Sequence, residues 1–408
     1  MPRLGFFAPL LLGAVCAAQT GDPRLAAIIE QMADNVRRVP NYTCTQTVAR
    51  FRRGEPCREC EYRDRLRLEV AFSGTHEQFA WPGESAFADG SIFRLIGTGA
   101  IVTGDFASFA SRVFVTDHPD FTYAGERALD GRRTYRYDYR VGADRTTFGA
   151  RTREERGSSA YSGSFWADAE TLDVIRLAIR ASEFPARLDM AEVKVAVSYG
   201  RIQIGKSDFL LPRSTEAEML SRAGVLSRNR TEYKACRQYV GESTIRFGEE
   251  PAQAAAGTNR TPGHPLRQAP AGLNLSTRLA STLRLGETAV GDPVTFVVAR
   301  EVSDGGLRVP KGALLEGRIV TLAEHLRPDQ FTMLEIRTTA LKFNGARVEF
   351  DGSLAGVNGS ETKSARRGPR SIRFETWGNQ SVLYLAPDYR QLARGFQFYW
   401  KTLPQEIP

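Results

Sequence analysis

The sequence predicts a mainly β protein in two parts, preceded by an export signal and one amphipathic helix. Short segments in which apolar and polar residues alternate recur along most of the chain, as in antiparallel strands with one wet face. A stretch poor in large apolar residues follows residue 247 and divides the chain. Residues 23–38 instead carry apolar side chains at the spacing of a helix.

Residues 1–18 are predicted to be a signal peptide. Arg3 gives a positive start, and the apolar run from Leu4 to Ala14 is too short to span a bilayer. Small residues precede Gln19, so we expect cleavage near that residue, followed by export to the periplasm or cell envelope, or secretion. Acylation at Cys16 is the alternative, but Val15 is branched where a small residue is expected, and simple cleavage is favoured.

The composition is that of a folded protein, and its basic residues are not clustered as in a nucleic-acid-binding surface. The chain has 408 residues, of which 42% are hydrophobic, and a formal net charge of +8. Seven of the 55 basic residues are lysine, and the arginines alternate with acidic residues along strands, as in Arg63-Asp64-Arg65. Arginines spaced in this way lie along the solvent-exposed faces of strands and do not form one basic patch, so we expect no nucleic-acid partner. No apolar run after residue 18 approaches the length of a membrane helix, which predicts no transmembrane segment in the mature chain.

The first element after the signal is a helix. Asp22 is a capping residue, and Pro23 suits the first turn. Leu25, Ile28, Met32 and their neighbours form one apolar stripe before Pro40, which predicts that the helix covers an apolar surface.

Strands dominate the rest of the first part, residues 22–247. Leu66, Leu68, Val70 and Phe72 alternate with polar neighbours in one of them. The predicted strands are 42–51, 66–72, 79–81, 85–96, 134–139, 162–167, 174–181, 193–204, 227–240 and 243–247. Residues 106–114 are predicted to form a short second helix, and 188–190 a turn.

Residues 248–272 are predicted to be a linker, because alanine, glycine and proline dominate there. Turn signals every eight to twelve residues then indicate a small β-sandwich or barrel over residues 273–404. Its predicted strands are 279–285, 294–302, 314–320, 331–343, 347–354 and 397–402. Residues 358–370 are glycine-rich and basic and are predicted to form a mobile loop.

Four cysteines remain after cleavage, and in an oxidising compartment an even number indicates disulfide bonds. Four cysteines allow three pairings. We favour Cys44 with Cys236, which lie in predicted strands at the start and near the end of the first part, and Cys57 with Cys60 at a hairpin tip. The spacing of Cys57 and Cys60 also fits a redox pair or half a zinc site, but no helix start or second ligand pair accompanies it.

Two stretches of the first part resemble the LolA/LolB lipoprotein-carrier fold. One runs from Asp64 to Leu95 and contains Phe79-Ala80-Trp81-Pro82-Gly83. The other, Gly163 to Leu172 followed by Val174-Ile175-Arg176-Leu177, also resembles RseB-type periplasmic regulators. The resemblance implies a curved antiparallel half-barrel, with the helix at 23–38 as a lid over an apolar groove for acyl chains. The groove candidates are Leu66, Leu68, Val70, Phe72, Phe79 and Trp81. The alternative is that these side chains fill a closed core.

The second part resembles, more weakly, the TrbI-type β-barrel. The residues concerned are Val290-Gly291-Asp292-Pro293-Val294 and the stretch from Leu307 to Ile319, in which Pro310 and Gly312 suit a strand turn. The resemblance implies protein contacts, and so an envelope protein partner that binds the second part.

Motifs for catalysis or cofactor binding are lacking in the sequence. The four histidines are far apart, which predicts no metal site. Nucleophile elbows and phosphate-binding loops are absent as sequence patterns. We therefore expect no enzyme activity and no cofactor.

The sequence favours an exported cell-envelope protein that holds a lipid or lipoprotein acyl chain in a β groove. The alternative is an envelope sensor or scaffold that uses both β parts for protein contacts and binds no lipid. An extracellular hydrolase is a distant third reading, since paired carboxylates can come from separate strands.

Overall fold

The structure is a computed structural model that describes residues 22–402, except 55–56, 74–75, 85–86, 88–91, 98, 107, 239–267, 359–371 and 378–379. The predicted signal peptide with Cys16, the predicted strand 243–247, the linker up to residue 267 and the loop from residue 359 onward lie outside the described residues.

The described residues form a mainly β protein with few helices, as the sequence predicts. The helices are α1 (Pro23–Arg38) and α2 (Ser108–Ser111), with a π-helical turn at Arg112–Thr116 and 3₁₀ turns at Ile92–Arg94 and Ala186–Leu188. The strands of the first part are β1 (Tyr42–Arg53), β2 (Glu61–Ser73), β3 (His76–Ala80), β4 (Asp120–Leu129), β5 (Arg132–Val141), β6 (Gly149–Arg151), β7 (Arg156–Ser158), β8 (Tyr161–Asp168), β9 (Val174–Ala181), β10 (Met190–Ile204), β11 (Ser207–Ser221) and β12 (Leu226–Gln238).

The strands of the second part begin after residue 268. They are β13 (Asn274–Leu279), β14 (Leu283–Arg284), β15 (Pro293–Val298), β16 (Val302–Asp304), β17 (Leu307–Val309), β18 (Leu314–Arg327), β19 (Phe331–Phe343), β20 (Ala346–Glu349), β21 (Gly352–Val357), β22 (Ile372–Trp377), β23 (Gln380–Leu385), β24 (Gln391–Leu392) and β25 (Gln397–Thr402).

The first part is one antiparallel sheet in the order β3-β2-β1-β12-β11-β10-β9-β8-β5-β4. One face of this sheet carries apolar side chains, such as Val195 of β10 and Leu177 of β9. We call it the inner face. Helix α1 packs on it through Ile28 and Met32, which are buried.

Hydrogen bonds fix α1 at both ends. The Asp22 carboxylate caps the helix by accepting the Arg24 amide at 3.0 Å and also accepts the Tyr137 hydroxyl at 2.6 Å. Near the other end, the Asn35 amide group exchanges two hydrogen bonds with the backbone of Leu210, at 2.9 and 2.8 Å. The helix therefore covers the inner face, as predicted.

The second part continues from the first through strand pairing. Residues 323–327 of β18 pair with residues 61–64 of β2. The Arg67 guanidinium also binds the Asp292 carboxylate at 2.6 Å, and the Arg67 amide donates to the Val290 carbonyl at 2.8 Å. Within the second part the strands run β21-β25-β13-β15-β18-β19-β23-β22, and the Leu354 amide of β21 donates to the Ser381 hydroxyl of β23 at 3.0 Å.

Both favoured disulfide bonds are present. Cys44 joins Cys236 across 192 residues of sequence, and Cys57 joins Cys60 at the tip between β1 and β2. The Cys57–Cys60 bond closes the tip of this hairpin.

The prediction of a strand over residues 85–96 is wrong for Ile92–Arg94, which form a 3₁₀ turn. Ile92 and Ile96 are buried there without any strand partner, so their spacing reflects packing against the core and not a sheet. Eight strands of the described residues overlap no predicted strand, namely β4, β6, β7, β11, β17, β22, β23 and β24.

Candidate functional site

A groove lies on the inner face of the first part, beside α1. It has a volume of about 570 Å³. We call it the covered groove, because residues 92–97 and 99–106, the covering segment, contribute one of its walls through Ile92, Phe93 and residues 100–103. The lining comprises Ile92, Phe93, Ala100, Ile101, Val102, Thr103, Phe109, Arg112, Thr147, Phe148, Gly149, Ala150, Arg151, Arg156, Gly157, Ser158, Met190, Val193 and Met219.

Strand alternation gives the groove its apolar wall. Val193 of β10 pairs with Met219 of β11, so the two side chains lie together on the inner face. Their sequence neighbours Lys194 and Glu218 point to the opposite face and are charged. The alternation of apolar and polar residues along these two strands is therefore enough to form this wall of the groove.

The opposite wall comes from the covering segment and from α2. Phe109 of α2 packs on Phe148 with ring centroids 5.7 Å apart. The Asn229 amide group of β12 donates to the Ala100 carbonyl at 3.3 Å, and the Arg153 guanidinium donates to the Ile96 carbonyl at 3.2 Å. These bonds hold the covering segment over the sheet.

Three arginines line the covered groove. Arg112 follows α2 and lies with its guanidinium 5.6 Å from the centre of the Phe109 ring. Arg151 and Arg156 pair across the short hairpin of β6 and β7 and are exposed at its rim. Burial lowers the pKa of Arg112, and the charges of Glu77 and Asp117 oppose that shift. An arginine remains charged under any ordinary condition, so the groove carries positive charge.

A second feature of the inner face is a buried polar cluster around Asp105, in the covering segment. Asp105 is 1% exposed, and neither of its carboxylate oxygens has a hydrogen-bond partner among the described residues. Burial raises the pKa of Asp105, against the opposing influence of the Tyr233 and Thr215 hydroxyls. Other buried side-chain oxygens without a partner in the described part of the chain belong to Thr43, Gln46, Tyr199, Thr215 and Asn229.

We expect Asp105→Asn to stabilise the protein at neutral pH. Because the folded-state pKa of Asp105 lies above the unfolded value, its contribution to stability is present below about pH 4 and is lost as the pH rises through the folded pKa. Asparagine has no charge to bury, so the gain should be small at pH 3 and reach about 1–3 kcal/mol at pH 7. Thermal unfolding of both proteins from pH 3 to pH 8 measures the difference. A variant that loses stability at pH 7 would contradict the assignment of a buried, poorly compensated carboxylate.

The six groove candidates from the sequence lie in another region. Leu66, Leu68, Val70, Phe72 and Phe79 are buried in a core cluster that also contains residues of the second part, such as Val290 and Phe296. Trp81 is half-buried next to that cluster, with the Arg318 guanidinium 5.9 Å from its ring. None of the six lines the covered groove. Ligand contact by these residues stays a prediction.

The residues that line the covered groove were not singled out from the sequence. Val193 and Met219 look like ordinary strand residues, and Arg112 is one of many arginines. One indication of the groove was present in the sequence. The predicted short helix at 106–114 combines Phe109 and Phe114 with a single arginine.

A wider depression of about 1090 Å³ lies on the opposite, polar face of the sheet. Its charged side chains are paired with one another, as in Arg228 with Glu218 at 2.7 Å and Arg136 with Asp138 at 2.8 Å. An acyl chain would gain little there, because it would have to displace water from paired charges.

Among the described residues, no group of three or more His, Cys, Asp or Glu side chains is placed to hold a metal ion. The helices of the described chain are also too short or too polar to cross a membrane.

Comparison with known protein families gives no matching family model, and comparison with curated proteins gives no match. Solved structures do match. A DUF1329 family protein from Desulfovibrio piger is 15% identical, with 55% of this chain and 96% of that chain covered and a TM-score of 0.30. A LolA superfamily protein from Nitrosomonas europaea is 12% identical over 53% of this chain and 94% of that chain, with a TM-score of 0.27.

The lipoprotein LppX from Mycobacterium tuberculosis is 13% identical, with 53% of this chain and 97% of that chain covered and a TM-score of 0.22. These matches include the LolA superfamily, which the sequence of the first part resembles.

Proposed function

We propose that the protein is an exported cell-envelope protein that holds the acyl chain of a lipid or lipoprotein in the covered groove. The observation that supports this proposal is the groove itself, a space of about 570 Å³ between the sheet and the covering segment, with apolar side chains such as Val193 and Met219 on its strand wall. Volumes of this order are typical of sites for small ligands, and such sites are mostly apolar.

The way the covering segment is held supports a ligand site. Its backbone is bonded by side chains of other elements, such as Asn229, Arg153 and Glu77, whereas the strand wall is fixed by continuous ladders. A wall held by side chains and not by a ladder can move to admit a chain while the other wall stays in place. The two disulfide bonds support the export part of the proposal, because such bonds persist in oxidising compartments.

Native mass spectrometry of the protein purified from the periplasm tests the proposal. We expect a bound species of lipid mass that organic solvent extracts. In Ala150→Trp a large ring enters the groove from β6, where Ala150 is half-buried, and bound lipid should fall at least fivefold.

Ala128→Trp is the matched control, because Ala128 is exposed on β4 and outside the groove lining. Its lipid content should equal that of the unchanged protein. A protein that carries no lipid and is recovered by cross-linking to an envelope protein would instead support the sensor or scaffold role.

A further inference from the structure

We propose that the covered groove selects amphiphiles with an anionic head group and that the Arg112 guanidinium binds that group. This inference rests on the proposed function, since it names the class of ligand for the same groove. The expected occupants are single-chain amphiphiles that end in a carboxylate or phosphate.

The first argument is the charge of the lining. Arg112, Arg151 and Arg156 line the groove, and no aspartate or glutamate does so among the described residues. An apolar cleft with charge of one sign concentrates ligands of the opposite sign.

The second argument is the state of Arg112. Among the residues that the structure describes, its guanidinium makes no hydrogen bond and no ion pair within 4.0 Å, although burial lowers its pKa. Its nearest aromatic contact is the face of the Phe109 ring, which satisfies none of its five N–H donors. A half-buried arginine with free donors is suited to two parallel hydrogen bonds with a carboxylate or phosphate.

The third argument is that the carboxylates that act on Arg112 already have partners. Glu77 accepts the Gly104 amide at 2.7 Å. Asp117 accepts the Thr147 hydroxyl at 2.7 Å and the Tyr161 hydroxyl at 2.9 Å. Both lower the cost of keeping Arg112 charged without occupying its donors.

Geometry sets the orientation of the ligand. Arg112 lies next to Phe109 on the inner side of the groove, whereas Arg151 and Arg156 lie exposed at the hairpin rim. A ligand whose head group binds Arg112 would lay its chain along Val193 and Met219. The rim arginines would attract the anion during entry, an effect that salt weakens.

The experiment compares two probes of equal chain length, hexadecanoate and hexadecanol, by calorimetric titration of the full chain after lipid extraction. We expect hexadecanoate to bind at least tenfold more tightly at pH 8. In Arg112→Gln the affinity for hexadecanoate should fall about tenfold, and the affinity for hexadecanol should stay the same. Arg112→Lys keeps the charge and should retain most of the preference.

Arg278→Gln is the matched control, because Arg278 is exposed on β13 in the second part and should change neither affinity. Equal affinity of the unchanged protein for both probes would overturn this inference and leave the proposed function intact, even if the Arg112 variants did not fold. Equal losses for both probes in folded Arg112→Gln would also overturn it, since the arginine would then act on groove shape. Binding of neither probe would overturn the inference and the proposed function together.

Discussion

Replacing Cys44 and Cys236 together by serine should lower the free energy of unfolding by about 5 kcal/mol, the largest stability effect that we expect. The bond joins β1 to β12, the neighbouring strands at the start and end of the first part, across 192 residues. Without this bond, the unfolded chain regains the conformational entropy that closing a very long loop had removed. That entropy increases with loop length. Urea unfolding followed by far-ultraviolet circular dichroism measures the change.

The second disulfide provides the control. Cys57 and Cys60 are separated by three positions, so replacing both by serine should cost about 2 kcal/mol or less on the same entropy model. If the two double variants lost equal stability, the difference in loop length would not account for the effect of the Cys44–Cys236 bond.

Trp400→Ala should lower the free energy of unfolding of the second part by about 3–5 kcal/mol, as is usual for loss of a large buried aromatic side chain. Trp400 is 2% exposed and stacks on Phe398, with centroids 5.8 Å apart. Its indole N–H donates to the Thr277 hydroxyl at 3.1 Å, so the change removes a buried hydrogen bond as well as packing. Urea unfolding with tryptophan fluorescence measures the loss.

Trp377→Ala is matched to it, because Trp377 is the same residue type but is 54% exposed at the end of β22. It should change stability by less than about 0.5 kcal/mol. Similar losses for the two variants would show that the Trp400 cluster does not hold the second part together.

Much of the fold could be predicted because its strands carry their pattern locally. The bounds of α1, β9, β19 and β25 agree with the predicted ones, since capping residues, alternation and turns mark their ends. The strands that were missed lack such a pattern. β11 contains Pro212 at an irregularity of register, and β4 is mostly exposed and has a bulge between Tyr123 and Glu126.

The covered groove could not be predicted because it depends on tertiary placement. Phe109, Phe148 and Val193 come from a short helix, a loop and a strand, and nothing in their spacing indicates that they meet. The strand β2, by contrast, has the clearest alternation in the chain, and its apolar residues were therefore predicted to line a groove. Alternation identifies a buried face, but it does not reveal whether a ligand or another part of the chain covers that face.

The sharing of β2 between the two parts has a consequence for behaviour at high concentration. One margin of β2 is occupied partly by β3 and partly by β18, so the backbone groups there are already bonded. At the other end of the sheet, β4 is interrupted by its bulge and carries exposed charges at Glu126 and Arg127. Sheets that end in this way offer a poor template to a second molecule, which protects a protein against strand-to-strand aggregation at high concentration.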